Sequence, residues 1–184
     1  GVRTDYVYFP NGFVHTKKEP GRMLTYEYKN TCNKVSMVNT DYYQAAPETK
    51  TAAKSNQRNV SSDKRQKVAK SIKTKFIYDL KKCNLSEAEN SDGQKVKLQY
   101  DAHGRIAEIE DQSKKLVKIK YEENFGKPAT VTRPGLGTIF VSYKADGEIA
   151  KVESKEGPNV AMQVASIFNN LLDIIAPATS ETPL

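Results

Sequence analysis

The sequence predicts a mainly β protein, an antiparallel meander built from units of about 21 residues with one C-terminal amphipathic helix covering a sheet face. Three observations predict it. Tyrosines recur at a nearly constant interval, apolar residues alternate strictly on the way to each, and a single apolar stripe at helical spacing lies near the end of the chain.

The interval comes first. Tyr78, Tyr100, Tyr121 and Tyr143 are separated by 22, 21 and 22 residues, and Tyr8 and Tyr28 by 20. A glycine follows four residues after the tyrosine at Gly12, Gly104 and Gly147; Gly126 follows after five, which reads as a one-residue insertion in that turn. A second turn precedes the tyrosine, marked by Gly21, by Gly93, and by Gly135 with Gly137. Between that turn and the tyrosine the apolar residues fall on every second position: Leu24, Tyr26, Tyr28, then Val96, Leu98, Tyr100, then Val117, Ile119, Tyr121, then Ile139, Val141, Tyr143. Period-two alternation bounded by Gly, Asp and Asn is the pattern of a half-buried strand. A second short run follows each downstream glycine (105–110, 128–132, 148–153), with apolar residues two and five beyond it. That odd separation calls for a bulge or a twisted edge. Two strands and two tight turns per unit make a hairpin, and a row of hairpins makes a meander.

The run Tyr100, Asp101, Ala102, His103, Gly104, Arg105, Ile106 is similar to the Y-D-x-x-G-R-[LI] core of Rhs/YD repeats, as is the spacing. The likeness covers about residues 5–30 and 74–154; other units keep the tyrosine and glycine but carry Phe9, Glu122 or Lys144 in place of the aspartate. The resemblance implies a secreted, periplasmic or surface-exposed bacterial protein whose sheet acts as shell, spacer or binding surface. Large members of the family close into a barrel around a toxin, for which this chain has too few units. The family's self-cleavage element contains Asp-Pro, a dipeptide absent from this sequence.

The chain is read as one domain with two repeat blocks, 5–43 and 68–157, separated by a basic polar insertion at 44–67 and followed by a helix at 158–176 and a tail at 177–184. The net charge of +7 sits in one place: from Ala45 to Lys75 nine basic residues face two acids, which accounts for all of it. Lys64, Arg65, Lys67 and Lys70 are the candidate anion-binding residues there, and a solvated linker is the competing reading. In the helix, Val160, Val164, Ile167, Phe168, Leu171 and Ile175 share a face, Gly157 and Pro158 suit the start, and Pro177 should end it. Leu98, Ile119 and Val141 should meet that face across a single core. No apolar run is expected to cross a bilayer, and Gly1 in place of Met reads as a trimmed form.

Chemistry is sparse. Cys32 and Cys83 follow Tyr28 and Tyr78 by four and five residues, so their units could bring them together as a disulfide; two free thiols are the alternative. His15 and His103 are isolated, and neither a metal nor another cofactor is implied. Asp101, Asp111, Asp146 and Glu148 could supply a glycosidase pair but suit turns better. There is no P-loop, dinucleotide fingerprint or G-x-S-x-G elbow, so no catalytic residue is assigned. Tyr6, Tyr26, Tyr42 and Tyr43 fall outside the main register and are candidates for stacking on sugars, whereas the register tyrosines suit cross-strand packing. The expectation is a non-enzymatic binding or structural module whose partner is a protein or polysaccharide of the cell envelope. A nucleic-acid or anionic-polymer binder working through 50–75, and a glycan-processing enzyme, are the alternatives.

Overall fold

The structure, a computed structural model, describes residues 3–44 and 67–179. Twelve strands among them form one antiparallel sheet in which each pairs only with its neighbours in the chain. They are β1 (Asp5–Tyr8), β2 (Val14–Glu19), β3 (Arg22–Glu27), β4 (Met37–Tyr43), β5 (Val68–Tyr78), β6 (Leu85–Asn90), β7 (Lys95–Tyr100), β8 (Ile106–Asp111), β9 (Leu116–Tyr121), β10 (Pro128–Arg133), β11 (Gly137–Tyr143) and β12 (Ile149–Ser154), followed by the helix α1 (Pro158–Thr179). The meander is therefore as the tyrosine interval predicts. Of the insertion that separates the repeat blocks, 44–67, residues 45–66 lie outside the described residues, and Lys64 and Arg65 with them.

The odd apolar separation is taken up at the tyrosines. The pairing register shifts at Val7/Tyr8, Ile77/Tyr78, Gln99/Tyr100 and Ser142/Tyr143, so a bulge there restores the facing of the next strand. Each turn after a tyrosine then passes through one left-handed residue: Gly12, Asn33, Cys83, Gly104, Gly126 or Gly147. At Asn33 and Cys83 a side chain occupies a conformation that usually selects glycine, which is why no glycine marks those two turns in the sequence. The turns are capped by acceptors that take the backbone N–H groups two and four residues on. Asp101 Oδ1 receives His103 and Arg105, both at 2.9 Å, and Asn90 Oδ1 receives Asp92 at 3.1 Å and Gln94 at 3.0 Å. Glu122, with one more methylene, fills the role in the turn that is one residue longer, accepting from Asn124 and Phe125.

A ladder of hydroxyls ties the hairpins together. Tyr28 donates to the Val14 carbonyl (3.1 Å), Tyr78 to Val35 (2.9 Å), and Tyr100, Tyr121 and Tyr143 to Leu85, Ile106 and Pro128 (2.8 Å each). In every case the acceptor is the second residue after the left-handed one, which opens the preceding strand except at Val35, two residues before β4.

The helix lies on the inner face, where Val164, Leu171, Ile174 and Ile175 are buried with Ile109, Val117, Ile119, Val131 and Ile139. It touches both β5–β7 and β10–β12, so the sheet curls round it. Leu98 and Ile119 join the core as expected, but Val141 is only half-buried, close to the open β12 end where Val152 is 46% exposed. Gly137 passes directly beneath Val160, with no room for a Cβ. Two expectations are corrected. Pro177 does not end the helix, which runs on to Thr179: near a C-terminus the missing N–H leaves a single carbonyl without its helical partner. Pro158–Ala178 is also long and apolar enough, by length and composition, to cross a membrane. Its polar residues share one face and so recur every three or four positions along the chain, which is why no uninterrupted apolar run displays that character.

Reach explains what the helix leaves open. Its 22 residues span about 33 Å at 1.5 Å each, and the seven intervals from β5 to β12 span roughly 34 Å at about 4.8 Å each. The inner face of β1 and β2 extends past the helix end.

Candidate functional site

That uncovered stretch is a groove of about 870 Å³. Strand alternation puts Tyr6 and Tyr8 on the inner face of β1, where no strand or helix covers them, and they stay 41% and 58% exposed. Their ring centroids are 6.2 Å apart in a stacked arrangement, and Lys17 Nζ lies 5.7 Å over the Tyr6 ring. Phe13, in the turn after β1, stacks on Tyr28 at 4.8 Å and continues the wall. Tyr28, Tyr78 and Tyr100 line the floor with hydroxyls already committed to carbonyls. Burial, followed by the neighbouring Tyr100 and Tyr28, pushes the Tyr78 phenol up to about 12, so the floor is neutral through the physiological range.

Polar groups border these rings. Asn33, Lys34 and Asn84 flank the disulfide that joins Cys32 to Cys83, whose Cα atoms are 5.6 Å apart. The bond links the β3–β4 turn to the β5–β6 turn, so the two turns after a register tyrosine that lack glycine are held to each other. Exposed aromatic faces beside amide and ammonium donors can stack on an apolar ring face while hydrogen-bonding its rim.

Of the tyrosines singled out from the sequence, Tyr6 alone lines this groove. Tyr26 is 1% exposed and part of the core, because alternation turns it onto the inner face under full cover; no ring face is left for a ligand. Tyr42 lines a separate polar groove of about 510 Å³ with Arg22, Asn90, Gln94 and Asp173, and its hydroxyl bonds to Arg22. Tyr43 is half-buried at the end of β4. Tyr8 was missed because a register tyrosine suits cross-strand packing, and Phe13 because it lies in a turn outside the tyrosine register. Of the basic candidates, Lys67 is exposed and Lys70 is paired with Asp92 at 2.6 Å.

The carboxylates serve the sheet. Asp101 and Asp111 cap turns at opposite ends of β8, and Asp146 caps its own turn through the Glu148 N–H. Asp111 also pairs with Arg133 at 2.6 Å, where both side chains are nearly buried. Burial works to raise the Asp111 carboxyl, but Arg133 and the turn N–H groups of Lys115 and Ser113 hold it below the ordinary range. Among the described residues no three His, Cys, Asp or Glu side chains converge on a point where a metal could sit.

No protein-family model and no curated protein matches the chain. Solved structures do. A crystal structure of TcdB2-TccC3 without its hypervariable C-terminal region aligns with 83% of this chain at 11% identity and a TM-score of 0.42. TcdB2-TccC3-TEV and the Photorhabdus luminescens Tc holotoxin pore each align with 83% at 11% identity and a TM-score of 0.38. The chain spans 9% of the length of each.

Proposed function

We propose that this chain is a non-enzymatic structural and binding module of YD-repeat type from the bacterial cell envelope or secreted fraction, and that the groove at β1–β3 holds carbohydrate. The observation that carries the reading is the exposed Tyr6–Tyr8 pair facing Phe13, bordered by Asn33, Lys34 and Asn84. Rings are expensive to leave in water unless they serve an interface or a ligand. The disulfide supports the location, since such bonds persist in oxidising compartments. The uncommitted polar groups of the groove are amides and one lysine, a set suited to hydroxyl-rich ligands rather than to polyanions.

A glycan array followed by titration of the hits tests this. Binding should be lost in Tyr6→Ala and Phe13→Ala while the far-ultraviolet circular dichroism is unchanged. Absence of any hit, or binding that collapses steeply with salt, would move the reading to a structural spacer or to an anionic-polymer binder respectively.

A further inference from the structure

On the rim opposite the disulfide, β3–β6 and the last turns of the helix enclose the groove of about 510 Å³ that Tyr42 lines. That volume lies within the range of small-molecule sites, about 300–1,000 Å³. Two threonines carry the argument. Alternation puts Thr40 of β4 and Thr74 of β5 on the inner face as diagonal neighbours, because Thr40 pairs with Ile72. Buried inner-face positions on the later strands hold Val96, Ile109, Val117, Val131 and Ile139. Both threonines line the groove, each is only 7% exposed, and neither hydroxyl has a hydrogen-bond partner among the described residues. Valine has the same shape, and a buried hydroxyl left unpaired is costly, so packing alone does not select threonine at both positions.

The walls carry opposite charges. On the sheet side Arg22 donates from Nε to Glu19 at 2.5 Å and bonds the Tyr42 hydroxyl, which leaves part of its five-donor guanidinium unengaged; Glu19 is also shared with Lys17 at 3.2 Å. On the helix side the Asp173 carboxylate is exposed and has no partner among the described residues, and Pro177 has no N–H to give to the Asp173 carbonyl. A simple cation would meet Arg22 and a simple anion would meet Asp173, whereas a molecule bearing both charges complements both walls. Its length follows from the sheet. Arg22 on β3 and Thr74 on β5 are two strand spacings apart, roughly 10 Å. One amino acid is too short to cover that distance, and about three extended residues at about 3.4 Å each match it. We propose that this groove binds a short peptide with free termini, its carboxylate on Arg22, its ammonium on Asp173 and its backbone amides on the Thr40 and Thr74 hydroxyls.

Titration of the whole chain with trialanine, read by amide chemical shifts, tests it. The Thr40, Thr74 and Asp173 signals should move and saturate. Acetylating the peptide's N-terminus or amidating its C-terminus should weaken binding roughly tenfold or more, since either removes a charge-assisted pair. Free alanine should bind more weakly than the tripeptide. Thr40→Val and Thr74→Val should each weaken binding by up to about tenfold, yet leave the melting temperature unchanged or higher, because each removes an unpaired buried hydroxyl. Asp173→Asn should erase the discrimination against the acetylated peptide and keep that against the amidated one. The proposal is overturned by the absence of any shift at millimolar trialanine, by a doubly blocked peptide or free alanine that binds as well as the free tripeptide, or by valine variants that bind normally or melt lower.

Discussion

Tyr78 carries the largest titration shift among the register tyrosines, and its cause reaches the whole ladder. Burial raises the phenols of Tyr78, Tyr100, Tyr121 and Tyr143 above their ordinary 10.0, because an anion there would lose water and the hydroxyl would lose the proton it donates. A folded value above the unfolded one gives stability that is full below pH 10 and is lost as pH rises toward about 12. Alkaline denaturation followed by phenolate absorbance should therefore show cooperative unfolding in that window. Tyr100→Phe should cost about 1 kcal/mol in urea and leave the fold intact. At the acid end the sign reverses: Asp111 is held low by Arg133, so its contribution is present above pH 3.8 and falls away as pH drops through the folded value. Arg133→Met should flatten the acid limb of the stability curve if that pair is responsible. The tyrosines were legible in the sequence as strand markers because alternation is a one-dimensional signal. Their hydroxyl acceptors were not, since Val35 or Leu85 becomes an acceptor only through a turn geometry that Asn33 and Cys83 adopt without the glycine that would announce it.

Among the elements, β4 and β5 are the exceptional pair. Every other neighbouring pair is joined by a short turn, whereas 24 residues, 44–67, separate these two strands. The Cys32–Cys83 bond closes the opposite rim across the same two strands, holding from one side what no tight turn holds from the other. Its sequence separation of 51 implies about 4 kcal/mol of stabilisation in the chain-entropy picture. Cys32→Ser should lower the unfolding free energy measured in urea by that order, with amide exchange rising first in β3–β6. The helix face was readable from its apolar spacing, and Ile175, 3% exposed, shows it: Ile175→Ala should cost about 2–5 kcal/mol by thermal melting. What spacing could not convey is how far the helix reaches, because that depends on the strand count beneath it. Tyr6, on an uncovered strand, and Tyr26, in the core, therefore looked alike as sequence positions.

At the scale of the molecule, each strand has only its chain neighbours as partners, so the order of residues in sequence is their order across the sheet. Most contacts are consequently local, a topology that favours fast hairpin formation. Growth of the chain from the ribosome would follow the same order. Each hairpin can complete against the one before it as soon as it emerges, yet the inner face waits, because α1, which covers it, is made after all twelve strands. For the whole of that interval Ile109, Val117, Ile119 and Val131 face water on an open sheet, the kind of surface that recruits holdase chaperones or aggregates. The helix that follows the twelve strands thus sets the moment at which this sheet becomes safe from its own hydrophobicity.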